Sequence, residues 1–118
     1  MNNHNHRWGE LGENITSTYL EKTGYKILAR NWHCHQQEID LIAKDRSILV
    51  LIEVKLRLSN NFDLTNEPLN NQRLKQLKLA ATYFSKQYPT KQWRYDFIII
   101  DFNFARRLAR LSHYRQII

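Results

Sequence analysis

Two apolar segments joined by a short polar turn constrain the fold of this chain most strongly. Residues 37–44 and 47–56 are rich in branched apolar side chains, which is typical of buried β-strands. The polar stretch Lys44-Asp45-Arg46-Ser47 lies where they meet and predicts a turn. The two segments therefore predict a pair of neighbouring strands.

Helical periodicity occurs on both sides of this strand pair. Residues 8–23 carry apolar side chains at spacings of three and four, and Thr23-Gly24 is a plausible helix end. Residues 70–87 keep one apolar face, and Pro89 lies beyond their end. The apolar positions are Trp8, Leu11, Ile15 and Tyr19 in the first helix and Leu74, Leu77, Ala81, Phe84 and Tyr88 in the second.

Two further segments complete the predicted sheet. Residues 25–32 could form a first strand, and residues 93–101 read as another buried strand. Residues 57–68 are polar and irregular and predict a loop, whereas periodicity leaves helix and strand both open for residues 104–118. The order of helix, three strands, helix and strand predicts an α/β fold with a mixed sheet flanked by helices.

Length and composition narrow the class of protein. The 118 residues suit a single domain over residues 1–118, in which we expect residues 1–7 to be disordered and residues 104–118 to form a basic C-terminal extension. No apolar run approaches the ~20 residues of a membrane helix. The N-terminus has no signal-peptide pattern. Cys34 is the one cysteine, so we expect a cytoplasmic protein without a membrane partner.

The charge of the chain favours a polyanionic partner. Its net charge is +7 and its pI about 9.8, which attracts nucleic acid through long-range forces and counterion release. Several basic side chains could line a phosphate track, or could equally form a solvated basic face. Those predicted to bind nucleic acid are Arg57, Arg73, Lys75 and Lys78, and Arg106, Arg107 and Arg110 could extend the track.

Acidic and basic side chains continue the two central strands where metal chemistry could occur. Because side chains alternate along a strand, Glu53 and Lys55 share one face, as do Glu38 and Asp40. A two-residue turn at Arg46-Ser47 would place Asp40 directly opposite Glu53, and one at Asp45-Arg46 would place the two on a diagonal. Either register brings both carboxylates to one side of the sheet, whereas a three-residue loop would put them on opposite sides.

This arrangement suits Mg²⁺ or Mn²⁺. Magnesium prefers oxygen ligands, which Asp40 and Glu53 would supply as carboxylates and Val54 as a backbone carbonyl. A bound ion would activate water, and Lys55 could orient that water or stabilise charge developing on a phosphate. The simpler interpretations are a salt bridge between Glu53 and Lys55 or a strand end that emerges into solvent.

The pattern Asp40…Glu53-Val54-Lys55 resembles the signature of PD-(D/E)xK nucleases. More specifically, the chain is similar from Gly9 to Asp101 to the YraN family of small bacterial proteins, which resemble Holliday-junction resolvases in fold. The matching segments are Gly9-Glu10-Leu11-Gly12-Glu13, Tyr25-Lys26-Ile27-Leu28-Ala29-Arg30-Asn31-Trp32, Glu38-Ile39-Asp40-Leu41-Ile42-Ala43, Glu53-Val54-Lys55-Leu56-Arg57 and Arg94-Tyr95-Asp96.

The resemblance implies a fold and a set of roles. It implies a restriction-endonuclease-like core with Asp40 and Glu53 as metal-binding acids and Lys55 as the catalytic lysine. It also implies that Glu13, on the first helix, lies near the metal. The expected activity is metal-dependent cleavage of DNA, branched or otherwise structured DNA included. By analogy with resolvases, a homodimer is also expected.

Three departures from the family pattern motivate an alternative. Gln37 and Asp63 stand where the pattern usually has glycine, and Arg73 stands where lysine is usual. Arginine keeps the charge of lysine but not the chemistry of a compact ammonium. The alternatives are a non-catalytic nucleic-acid-binding module that retains the nuclease fold, and an interaction subunit of a larger complex.

Overall fold

A computed structural model describes residues 3–34, 37–58, 70–88 and 92–115 of the protein. Its two helices and five strands follow one another in the predicted order, with one strand added at the end. The elements are α1 (Asn3–Lys22), β1 (Lys26–Cys34), β2 (Gln37–Asp45), β3 (Ile48–Leu58), α2 (Asn71–Gln87), β4 (Gln92–Asn103) and β5 (Leu108–Tyr114).

The five strands form one mixed sheet in the order β1-β2-β3-β4-β5. Strands β1, β2 and β3 pair antiparallel, β3 and β4 pair parallel, and β5 returns antiparallel to β4. The parallel pair needs a crossover connection, which contains α2. The predicted α/β class with a mixed sheet and flanking helices is confirmed.

The turn between β2 and β3 selects one of the two predicted registers. Asp45 pairs with Ile48, so Arg46 and Ser47 form the two-residue turn. Arg46 adopts a φ of 58°, the left-handed conformation that tight hairpin turns require. One step beyond the last pair, Leu41 with Ile52, the same register places Asp40 opposite Glu53.

Each face of the sheet packs against one helix. The predicted apolar face of α2 is confirmed, since Leu77, Ala81 and Phe84 are buried against Leu49 and Leu51 of β3. On the other face, Leu20 of α1 packs in a cluster with residues of β2, β3 and β4. The members of that cluster are Leu20, Tyr25, Leu41, Ala43, Val50, Ile52, Ile98 and Ile100.

The element boundaries differ from the predictions mainly at the ends of the chain. Helix α1 begins at Asn3, ahead of the predicted start at residue 8 and within the stretch 1–7 that was expected to be disordered. Residues 104–107 form a turn, and β5 follows in the tail whose structure periodicity left open. Within the described residues, neither helix has the length and apolar character to cross a lipid bilayer.

A buried polar network ties β5 to the rest of the protein. Arg94 donates from Nε to Asp96 Oδ1 (3.0 Å) and from Nη2 to Tyr25 Oη (2.6 Å). His113 of β5 lies with Nε2 2.7 Å from Asp96 Oδ2 and with Nδ1 2.8 Å from Tyr19 Oη. Because buried charges are expensive without partners, this network fixes the positions of α1 and β5 on the sheet.

Helix α1 lies close to the sheet at Gly12. A Cβ atom at this position would lie 2.7 Å from Leu56 Cδ2, well inside van der Waals contact. A Cβ atom on Gly9, one turn earlier, would have no neighbour within 4 Å. The absence of a side chain at Gly12 therefore lets α1 lie close over β3, with Glu13 next in sequence.

We predict opposite effects for substitutions at these two glycines. Gly12→Val should destabilise the protein by about 1–3 kcal/mol, because the new side chain overlaps Leu56. Gly9→Ala should stabilise it by up to about 1 kcal/mol through helix propensity alone. Urea unfolding of both variants measures the difference, and a Gly12→Val variant as stable as Gly9→Ala would contradict the close approach.

Candidate metal centre

Asp40 is fixed by a hydrogen bond to the neighbouring strand. The backbone N–H of Val54 on β3 donates to Asp40 Oδ2 at 2.8 Å, just past the last paired residues of β2 and β3. This bond uses Oδ2, so Oδ1 can serve as a ligand. Burial raises the pKa of Asp40, and the Val54 hydrogen bond opposes that rise by stabilising the carboxylate.

Three carboxylates from two elements converge beside this bond. One oxygen each of Glu13 on α1 and of Glu38 and Asp40 on β2 can be chosen so that all three lie within 4.8 Å of one another. Glu13 and Asp40 are half-buried, whereas Glu38 is exposed. The structure therefore brings together two of the four predicted metal ligands, Glu13 and Asp40, and adds Glu38.

Glu13 is oriented by a residue in an uncommon backbone conformation. The Asn31 side chain on β1 hydrogen-bonds Glu13, and Asn31 has a φ of 51°. Asparagine is among the few residues that adopt this left-handed conformation readily. Burial raises the pKa of Glu13, the Asn31 hydrogen bond lowers it, and the charges of Asp40 and Glu38 raise it further.

Glu53 pairs with Arg73 rather than joining the three carboxylates. Arg73 Nη2 on α2 donates to Glu53 Oε1, and Arg73 also hydrogen-bonds the buried Tyr95. Asn70 caps α2 by accepting from the backbone N–H of Arg73 (2.7 Å), which places this arginine in the first turn of the helix. Arg73 therefore lies beside Glu53 at the candidate site rather than on a solvated basic face.

The protonation of Glu53 is strongly perturbed. Burial and then the charge of Asp40 raise its pKa to about 7, although Arg73 and Lys55 oppose the shift. Burial also raises the pKa of Tyr95, and the negative charge of Glu53 adds to this rise. Near neutral pH, a neighbouring cation therefore determines whether Glu53 carries a charge.

The donor set fits a hard divalent cation. Carboxylate oxygens are what Mg²⁺ and Mn²⁺ prefer, and Mg²⁺ binds them at ~2.0–2.1 Å. Three carboxylates with oxygens within 4.8 Å repel one another, and a cation between them would remove that repulsion. Glu13, Glu38 and Asp40 would hold the ion, and Glu53 lies on the adjoining strand.

Lys55 follows Glu53 on the same face of β3. Its Nζ lies 6.0 Å from the centre of the Phe97 ring, and its charge acts on Glu53. Lys55 is partly exposed, so it can meet a ligand from solvent. The structure thus places the predicted lysine beside the predicted acids.

The other residues predicted to bind nucleic acid divide into two groups. Lys75 and Lys78 are exposed on α2, where solvent or a polyanion can reach them. Arg57 is mostly buried, and its Nε donates to Asp101 Oδ1 at 3.0 Å. Because Asp101 engages it, Arg57 supports β3 and β4 and is poorly placed for a phosphate track. Val54 contacts the site through the hydrogen bond from its N–H to Asp40, and its carbonyl as a third ligand stays a prediction.

A family model described as "Uncharacterised protein family UPF0102" matches residues 12–100 of this chain. The chain belongs to the UPF0102 family. The resemblance to YraN proteins predicted from the sequence is confirmed. The residues of the candidate site lie within the matched region, namely Glu13, Glu38, Asp40, Glu53, Lys55 and Arg73.

Relatives from several bacteria match over most of their length. A UPF0102 protein of Caldanaerobacter subterraneus subsp. tengcongensis is 41% identical over 108 residues, covering 89% of this chain and 88% of the relative. One from Geobacter metallireducens is 34% identical over 115 residues, covering 96% and 93%. One from Pelotomaculum thermopropionicum is 33% identical over 108 residues, covering 90% of each.

Sequence reasoning missed three features of this UPF0102 site. Glu38 was known to share a face with Asp40, but nothing marked it as a ligand. Asn31 gave no signal except its place in a matching segment. The pairing of Arg73 with Glu53 joins residues of α2 and β3 that are twenty apart in the sequence, and only the departure from lysine drew attention to position 73.

The shifted pKa of Glu53 predicts how stability depends on pH. In the metal-free protein the folded state holds the Glu53 proton up to about pH 7, against an ordinary pKa of 4.5. Stability relative to a Glu53→Gln variant should therefore fall as pH rises from about 4.5 to 7, by at most about 3 kcal/mol. Chemical unfolding in EDTA from pH 4 to 8 measures this difference. A difference that stays flat or grows with pH would contradict the raised pKa.

Proposed function

We propose that this protein hydrolyses phosphodiester bonds of DNA, with Mg²⁺ or Mn²⁺ as cofactor. The observation that carries the proposal is the convergence of Glu13, Glu38 and Asp40 within 4.8 Å, beside Glu53 and Lys55 on the next strand. Hard oxygen ligands next to a lysine match what phosphoryl chemistry requires. The net charge of +7 supports a polyanionic substrate.

The residues of the site would have different chemical roles. Glu13, Glu38 and Asp40 would hold the metal, which when bound supplies an activated water and a positive charge near the phosphate. Lys55 would hold the attacking water or balance the negative charge that develops on the phosphate oxygens. Val54 would keep Asp40 oriented through its N–H.

Arg73 supplies the positive charge that Glu53 needs in the metal-free state. The guanidinium fork can leave Glu53 for a phosphate oxygen, because both are anions that it binds with similar geometry. Glu53 would then be available to the metal site while Arg73 contacts the substrate. Arg73, which stands where the family pattern has lysine, would thus bind Glu53 in the metal-free state and the substrate during the reaction.

A matched pair of glutamates provides a test. Purified protein should cleave junction, flap or linear DNA with Mg²⁺ or Mn²⁺, and Asp40→Asn, Glu13→Gln and Lys55→Ala should each slow cleavage by at least about 100-fold. Glu10→Gln, an exposed change one turn from Glu13 on the same helix, should leave the rate unchanged. Cleavage that survives Asp40→Asn and Lys55→Ala would point to a contaminating nuclease and would overturn the assignment.

The Arg73–Glu53 pair also favours a second candidate, a nucleic-acid-binding module without catalysis. In such a module, the Arg73 guanidinium would be the permanent partner of Glu53 in place of a metal ion. It predicts salt-sensitive DNA binding that is indifferent to Mg²⁺, with no turnover of any of the three DNA substrates. The cleavage assay and a binding assay in EDTA therefore separate the two functions.

A further inference from the structure

The β4–β5 hairpin carries an exposed surface that the metal site does not explain. We define the hairpin surface as Phe104, Arg106, Arg107, Leu108 and Arg110. All five residues are exposed, Phe104 by 56% and Leu108 by 60%, although both are large apolar side chains. Large apolar groups left in water beside arginines are typical of a surface that binds a partner.

The charge of this segment is unbalanced. Residues 102–118 contain four arginines and neither aspartate nor glutamate, so they account for more than half of the net charge of +7. The nearest acid, Asp101, lies across the ladder from Arg110, but its carboxylate accepts from Arg57. The segment is therefore complementary to a polyanion.

The hairpin surface lies beyond the same end of strands β3 and β4 as Lys55, with Phe102 on the α1 face of the sheet and Arg110 on the face that carries Lys55. Strands β3 and β4 run parallel, with Lys55 level with Ile99 and Leu58 level with Phe102. Phe104 is the first residue of the turn after β4 and follows Ile99 by five residues, which at ~3.3 Å per residue puts it at most ~16 Å further along the sheet than Lys55. A nucleic-acid strand with a 3.4 Å step spans that distance in about five nucleotides.

The geometry of the hairpin suits bases better than phosphates alone. The rings of Phe102 and Phe104 are stacked, with centroids 6.2 Å apart and planes inclined by 13°. The turn is held by hydrogen bonds from Arg106 N to Asn103 Oδ1 (3.2 Å) and from Arg107 N to Phe104 O (3.3 Å). Fixed aromatic rings beside arginines form the kind of platform on which unpaired bases stack.

We propose that the hairpin surface binds an unpaired stretch of nucleic acid that continues from the strand held at the metal centre. Phe104 would stack on a base, and Arg106 and Arg110 would contact phosphates. A base in a regular duplex is covered on both sides by its neighbours, so the aromatic contact selects strands with unpaired nucleotides. This inference rests on the proposed function for the identity of the polymer, and it names the substrate as partly single-stranded.

The test is fluorescence anisotropy with the full chain in EDTA, so that binding is measured without turnover. The probes are a blunt 20-bp duplex, the same duplex with a ten-nucleotide overhang, and the single strand. Wild-type protein should prefer the two probes that contain unpaired nucleotides. Phe104→Ala should weaken binding to these by at least about fivefold, the lower end of the stacking contribution per base, and change duplex binding by less than twofold.

Control variants separate the surface from general effects. Tyr83→Ala removes an aromatic side chain that is 49% exposed on α2 and should leave all affinities unchanged. Arg106→Ala/Arg110→Ala should lower the slope of log affinity against log salt by about 1.4 for the single strand, since each phosphate contact contributes ~0.7. Lys22→Ala/Lys86→Ala, at exposed helix ends, should lower it by less than half as much.

The possible outcomes distinguish this inference from the proposed function. Equal affinities for all three probes, or a Phe104→Ala variant that binds like wild type, would overturn it even if the protein cleaves DNA. Loss of binding to unpaired probes in Phe104→Ala would support it even if no DNA is cleaved. Protein that binds none of the probes would overturn it as well, and a matching thermal midpoint confirms that each variant is folded.

Discussion

The hydrogen bond from the Val54 N–H to the Asp40 carboxylate determines most of what this site can do. It joins β2 to β3 where their pairing ends, and it puts a side-chain oxygen where a backbone carbonyl would otherwise accept. Asp40 is thereby held in a half-buried position despite its charge. Every other feature of the candidate centre is arranged around this carboxylate.

The electrostatics of the site follow from crowding acids around Asp40. Glu13 and Glu38 come within 4.8 Å of it, and its charge helps to raise the pKa of Glu53 to about 7. Such crowding costs stability unless positive charge compensates, and the Arg73 charge lowers the pKa of both Asp40 and Glu53. The proposed metal ion would add further positive charge at the cluster of Glu13, Glu38 and Asp40.

The features set by local rules could be predicted from the sequence. Strand alternation placed Glu53 and Lys55 on one face of their strand, and Glu38 and Asp40 on one face of theirs. Helical periodicity identified the buried side of α2. The register needed the turn as well, which the sequence narrowed to two choices and the structure settled at Arg46-Ser47. Glu13 entered only through the family resemblance, because no local pattern links a helix residue to a strand 25 or more residues away.

The remaining features depend on contacts between distant parts of the chain. The position of Arg73 follows from how α2 is capped at Asn70 and packed on the sheet, and that packing brings it to Glu53. The strand β5 has a mixed pattern, Leu-Ala-Arg-Leu-Ser-His-Tyr, which gives no clear alternation. It becomes ordered through pairing with β4 and through the contacts of His113 with Asp96 and Tyr19.

Crystals soaked in Mn²⁺ test the central claim most directly, because anomalous scattering locates that ion without any assumption about activity. The account predicts a peak within ~2.2 Å of an Asp40 oxygen and of at least one oxygen from Glu13 or Glu38, and no such peak in Asp40→Asn crystals. A well-ordered Asp40 with no manganese beside it at millimolar concentration, or a peak that persists in Asp40→Asn, would contradict the account.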